Sequence, residues 1–199
     1  MRLSAISCAV LLCALPADGS NALLTQPVIQ ALTSIDTIPS TVALNDAFGT
    51  QPPLDTLLLI ARDPTIDLGI GLRAIRALPA YCPAQPQPCG PGTPVHDALI
   101  LLIDGSAAQG TPHDLLRLRA AVEALGATHS GLAGDVDKLM SLLGSSSSRD
   151  VRATVVRAIR NVCNSVAISQ LGTYFFNEPS RQVQLAITAA LQDLGRCPE

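Results

Sequence analysis

Along Ser148–Ile159, which reads S-R-D-V-R-A-T-V-V-R-A-I, apolar side chains recur at three- and four-residue intervals. On a helical wheel Val151, Val155, Ala158, Ile159 and Val162 share one face, while Arg157 and Arg160 fall opposite. That is the pattern of an amphipathic helix with a stripe to bury. Ser148 stands where a hydroxyl can accept a hydrogen bond from a free first-turn N–H, a contact worth about 1 kcal/mol.

Three other stretches share the template: Asp67–Leu78, Asp114–Leu125 and Ser180–Leu191. In all four, Asp or Ser stands eleven residues before a closing Leu or Ile, and an Ala directly precedes that residue (Ala77, Ala124, Ala158, Ala190). The residue four before the end is Ala74, Ala121, Val155 or Ile187. Small residues permit close helix approach and the closing Leu or Ile fills the gap. Self-similarity of this kind predicts an array of stacked units, none of which can bury its apolar face alone.

At these residues the chain resembles HEAT-type repeats, whose second helix commonly reads D-x-x-V-R-x-x-A-x-x-A-L. The match is best at Val151, Arg152 and Ile159. It departs where Gly71 and Gln184 replace the arginine, and where Arg117 and Leu118 invert the apolar-basic order. The resemblance spans roughly residues 54–194 and implies an armadillo-like α-solenoid of about four to five stacked helical hairpins, used for protein–protein contact. It carries no catalytic residue across.

The polar and apolar runs outside the template fill in the rest. Residues 1–22 have the form of a secretory signal peptide: Arg2, an apolar run Leu3–Leu15 too short to span a bilayer, then small residues, with cleavage expected after Ala17 or Ala22. Neither Cys8 nor Cys13 sits in a good lipidation context. Residues 23–53 read as a helix, a turn and a helix, an N-terminal cap or degenerate repeat, with Pro27 in a first turn and Gly49 as a stop. Residues 54–199 hold the repeats, interrupted at 79–94 by an insertion dense in Pro and Gly.

The expected first helices are Leu54–Arg62, Val95–Asp104, Leu132–Leu143 and Val166–Phe176; Gly105–Thr111 and Gly144–Ser147 are expected connectors. The run Ala98–Ile103 also fits a buried strand, which periodicity leaves open. Helix is preferred because its partner stretch fits the template.

Composition narrows the partners. The net charge of −3 offers no electrostatic pull on nucleic acid or anionic lipid. No further run is long and uniform enough to cross a membrane. With no Trp, two Tyr and three Phe, aromatic anchors are confined to the cluster Tyr174, Phe175 and Phe176. Beyond residue 22 the cysteines are Cys82, Cys89, Cys163 and Cys197. An even count in an exported chain favours disulfides. Of three connectivities, Cys82–Cys89 and Cys163–Cys197 are preferred: the first closes the insertion, and the second lies just past two closing positions that stacking would bring together. The spacing Cys-x6-Cys lacks the tight pattern of zinc sites.

Other chemical signals are isolated. Gly69-Ile70-Gly71-Leu72-Arg73-Ala74 matches the dinucleotide fingerprint G-x-G-x-x-A, but no strand leads into it and no acidic residue follows about twenty positions on. His96, His113 and His129 stand apart and are expected on the surface near helix starts. Asp97 and Asp114 fit first helical turns. Arg149, Arg152, Arg157, Arg160 and Arg181 are read either as a basic strip for an acidic partner or as a solvated face with interhelical ion pairs; Arg152, at a template position, belongs to the second reading.

The sequence therefore predicts an exported, periplasmic, cell-surface or extracellular all-α scaffold that binds a protein without catalysis, cofactor or metal. Arg157, Arg160, Gln184 and Thr188 are the candidate contact residues. The alternatives are a secreted α/β enzyme, which needs the runs near Leu57 and Leu101 to be strands, and a purely structural module of an envelope assembly.

Overall fold

The computed structural model describes residues 23–33, 37–82 and 89–197. The expected signal peptide and the middle of the 79–94 insertion lie outside the described residues.

Five helices of the described residues begin where a side chain satisfies a free N–H group. Ser40 accepts from Ala43 N, Asp67 from Ile70 N, Thr93 from His96 N and Ser148 from Val151 N. Thr111 and Asp114 form a reciprocal capping box. Prolines that lack an N–H occupy first-turn positions at Pro53, Pro94 and Pro112. The chain then leaves the helix begun at Pro94 at Gly110 (φ 70°) and the helix begun at Arg149 at Cys163 (φ 59°), both in the left-handed region.

The helices of the described residues are α1 (Gln26–Thr33), α2 (Thr41–Phe48), α3 (Pro53–Arg62), α4 (Leu68–Ala77), α5 (Pro94–Gln109), α6 (Pro112–Ala127), α7 (Ala133–Ser145), α8 (Arg149–Val162), α9 (Val166–Phe175) and α10 (Arg181–Leu194), with a short 3-10 helix at Leu78–Tyr81. No strand occurs among the described residues, so the fold is all-α.

Several expectations are corrected. The runs around Leu57 and Leu101 are helical, in α3 and α5, which removes the strands an α/β enzyme reading required. Gly105–Thr111 is not a connector. Helix α5 continues through Gly105 to Gln109 because Ala107, Ala108 and Gln109 are good helix formers, and Gly110 supplies the stop. Helix α6 starts at Pro112, not Asp114: Thr111 is the cap, and Asp114 its reciprocal partner three residues in. Helix α7 likewise runs to Ser145.

The helices pair as α1–α2, α3–α4, α5–α6, α7–α8 and α9–α10. The second helices also pack on one another in chain order, α4 on α6, α6 on α8 and α8 on α10, and α3 touches α5 as α7 touches α9. The N-terminal hairpin differs: α1, not α2, packs on α4. One apolar cluster runs from Val28 to Leu194. The small template residues sit where helices come closest. A Cβ on Gly126 of α6 would lie 2.7 Å from Ala158 Cα of α8.

Candidate functional site

The region around α8, α9 and α10 carries the predicted contact residues, and a buried ion pair holds it together. Arg152, on α8, meets Glu178 in the turn before α10 through two hydrogen bonds, Nε to Oε2 at 2.9 Å and Nη2 to Oε1 at 2.9 Å. Its Nη1 donates to the carbonyls of Ser146 and Ser147 at 3.1 and 3.0 Å. Glu178 Oε1 also accepts from Ser180 N at 2.8 Å. The Glu178 side chain is fully enclosed. Burial alone would raise its pKa, but the hydrogen bonds from Arg152 and Ser180 and the guanidinium charge outweigh it and hold the carboxyl below its ordinary range. Arg152 is therefore ion-paired, but with a loop carboxylate and largely out of water, not on the solvated interhelical face that the template reading expects. Its partner has no sequence signal: Glu178 lies in a loop, outside any apolar period.

The other predicted residues part company. Arg160 faces Asp193 of α10 at 3.4 Å, a half-exposed pair across the α8–α10 seam. Gln184 Nε2 donates to the Glu178 carbonyl at 2.8 Å, which fixes the turn. Thr188 is exposed; its hydroxyl donates to the Gln184 carbonyl at 3.0 Å. Arg157 is exposed, and its polar contact is within its own helix, Nη2 to Thr154 Oγ1 at 3.2 Å. The basic strip is thus not continuous: Arg149 lies near Asp150, Arg152 is paired with Glu178 in the turn before α10, and Arg160 is paired with Asp193 of α10.

Thr188 belongs instead to an apolar cleft between α9 and α10, of about 410 Å³, which Phe175, Phe176 and Leu191 also line. Phe176 is 85% exposed and meets Phe175 edge to face, ring centroids 5.6 Å apart. Tyr174 turns the other way, its hydroxyl donating to the Leu143 carbonyl at 3.1 Å. The aromatic cluster therefore divides into one anchor for the fold and two rings at a surface cleft. Val166 and Ile168 of α9 and Leu185 of α10 are exposed as well, outside the cleft lining.

The histidines do not gather. His96 is buried rather than exposed, because the chain places Asp135 of α7 against it: Nε2 lies 2.8 Å from Oδ1. An ionised carboxylate only accepts, so Nε2 carries the proton in that bond. Ser130 donates to the other oxygen of Asp135. The Ser130 hydroxyl thus bonds the carboxylate rather than the imidazole, and the trio ties α5 to α7. His129 Nδ1 lies 2.9 Å from the Asn161 carbonyl, and His113 is exposed in the first turn of α6. Among the described residues no group of three or more His, Cys, Asp or Glu is placed to hold a metal ion.

The fingerprint glycines have local roles. Gly69 adjoins the capping carboxylate of Asp67, and a Cβ on Gly71 would lie 3.1 Å from Arg117 Nη2. The element before them is α3, a helix. Cys82 pairs with Cys89 (Cα atoms 5.2 Å apart) and Cys163 with Cys197 (5.5 Å). The second pair ties the end of α8 to the segment just after α10. No helix of the described residues is long and apolar enough to cross a membrane.

Family models, curated proteins and solved structures yield no match to this chain. The HEAT-type resemblance rests on the template residues alone.

Proposed function

We propose that this chain is an exported, non-enzymatic binding scaffold, a short HEAT-like α-solenoid that takes a protein partner at its C-terminal hairpin. The observation that carries the reading is Phe176, 85% exposed beside an apolar cleft of about 410 Å³ in a chain nearly devoid of aromatic residues. An exposed aromatic ring beside an apolar cleft offers surface that a protein partner can bury. Thr188 lines the cleft; Arg157 and Arg160 on α8 and Gln184 on α10 are not among its lining residues and are candidate contacts from the sequence alone. The solenoid reading is supported by the chain-order packing of α4, α6, α8 and α10. Export is supported by the two cysteine pairs, which persist in oxidising compartments.

The test is affinity capture of exported proteins on the immobilised, oxidised chain, run beside Phe176→Ser and beside Arg157→Ala with Arg160→Ala. A specific partner should bind at least about tenfold more weakly to Phe176→Ser, since a central aromatic anchor contributes about 2 kcal/mol or more. The double arginine variant should weaken capture less, because Arg160 is already paired with Asp193. Capture unchanged by Phe176→Ser, with helix content preserved, would reject this face and favour a purely structural role.

A further inference from the structure

A second concavity lies where the end of α3 meets α5 and α6, and it shares no residue with the α9–α10 cleft. It encloses about 420 Å³, within the range of small-molecule sites. Arg117 lies in its wall, only 8% exposed, with one hydrogen bond, from Nη2 to the Asp63 carbonyl at 2.8 Å. No carboxylate of the described residues is in ion-pair contact with it or with Arg62, which is exposed and also lines the cleft. The other guanidinium nitrogens of Arg117 make no hydrogen bond among the described residues and are not sealed from solvent, so they open to the cleft.

Ser106 of α5 adds a second unused group. It is 6% exposed, and its hydroxyl has no hydrogen-bond partner among the described residues. A buried serine within a helix commonly bonds back to a carbonyl one turn earlier; this one opens to the cleft instead. Asp114 also lines the space, but its Oδ2 is taken up by the backbone N–H and hydroxyl of Thr111. Among the lining side chains two guanidinium groups stand against one carboxylate, with the Asp63 carboxylate turned to Thr65 in the adjoining turn. Leu101 and Leu102 supply an apolar wall, and Leu101 is 63% exposed.

We propose that this cleft binds a small organic monocarboxylate with a short apolar tail. The carboxylate would take the Arg117 and Arg62 forks, which match its planar geometry, and would accept from the Ser106 hydroxyl. The tail would lie on Leu101 and Leu102. One guanidinium in excess of the lining carboxylate favours a monoanion over a doubly charged phosphate. Gly71 supports the site by leaving room for the Arg117 guanidinium, which a Cβ there would crowd at 3.1 Å.

The test is titration of the full oxidised chain with sodium hexanoate, followed by two-dimensional amide NMR, with hexanol and inorganic phosphate as separate arms. Hexanoate should bind with Kd on the order of 1 mM, as fits a ligand of its size, and should shift the Gly105 and Ser106 amides. Hexanol and phosphate should each bind at least about tenfold more weakly. Arg62→Gln, at an exposed position that leaves the fold alone, should weaken hexanoate about tenfold. Arg117→Met should abolish binding if it folds; Ser106→Ala offers a milder change in the same wall and should weaken binding several-fold. No shift at Gly105 or Ser106 up to about 10 mM hexanoate, equal binding of phosphate, or an affinity indifferent to Arg62→Gln would overturn the assignment.

Discussion

Removing Glu178 should cost this fold more than any other single change to a charged residue. Its carboxylate accepts two hydrogen bonds from Arg152 and one from Ser180. Glu178→Ala leaves the Arg152 guanidinium, with its side chain 11% exposed, holding only the carbonyls of Ser146 and Ser147, and leaves the Ser180 N–H without its acceptor. Breaking a buried ion pair by deleting one partner typically costs about 3–5 kcal/mol. For a chain of this size each kcal/mol moves Tm by about 2–4 °C, so a fall of roughly 6–20 °C is expected. Thermal unfolding of the oxidised protein followed by circular dichroism measures it. Combining Glu178→Ala with Arg152→Met should recover part of the loss, since the stranded charge is then gone as well. The depressed Glu178 pKa also sets a direction with pH. A folded-state pKa below the unfolded value of about 4.3 gives stability that is complete above that value and is lost as pH falls through the folded one. The gap in stability between wild type and Glu178→Gln should therefore shrink on acidification below about pH 4. A Glu178→Ala loss under about 1 kcal/mol at neutral pH, or a Gln variant whose deficit is constant into acid, would refute the clamp.

Gly126→Ala should destabilise by about 1–2 kcal/mol, because the new Cβ would meet Ala158 backbone at 2.7 Å and this outweighs the helix-propensity gain; Gly105→Ala, where a Cβ meets nothing within 4 Å, should stabilise by about 0.5–1 kcal/mol, and chemical denaturation of the pair checks the contrast. Replacing Cys163 and Cys197 by Ser should cost more stability than replacing Cys82 and Cys89, about 4 against about 2.5 kcal/mol from chain entropy across separations of 34 and 7 residues. Equal losses in denaturant titrations would show that the α8–α10 tie is redundant with the packing beneath it.

The helices were legible because their signals are local. Ser40, Asp67 and Ser148 act as caps, and the apolar period of Val151, Val155 and Ile159 marks a face that is buried. The boundaries of α5 and α6 were harder to read. Gly105 has the composition of a stop yet only the backbone at Gly110 enters the left-handed region, and Thr111 outcompetes Asp114 as the cap because the two can satisfy one another. What the sequence hides is pairing at a distance. His96 and Asp135 are separated by 39 positions and Arg152 and Glu178 by 26. Nothing in the spacing of either pair distinguishes a buried partner from a solvated neighbour, so His96 reads as a surface residue until α7 is set beside α5.

The departures from the repeat template are themselves informative once the helices are packed. Where the third copy has Val151 and Arg152, the second inverts the order to Arg117 and Leu118. Leu118 is 2% exposed and fills the core, so the inversion moves the basic residue one step around α6, toward α3 and α4. There Gly71 occupies the position at which the third copy has its arginine, and its missing side chain admits the Arg117 guanidinium. The two irregularities are thus one arrangement: a deleted side chain on α4 and a displaced arginine on α6. In the third copy the template arginine is neutralised by Glu178 and tied to the Ser146 and Ser147 carbonyls. In the second it is tied to one carbonyl and otherwise faces the cleft with Ser106 and Arg62. Arg152 is thus held by an acidic partner, whereas Arg117, at the neighbouring template position, has no carboxylate in ion-pair contact among the described residues and lines the α3–α5–α6 cleft beside Arg62 and Asp114.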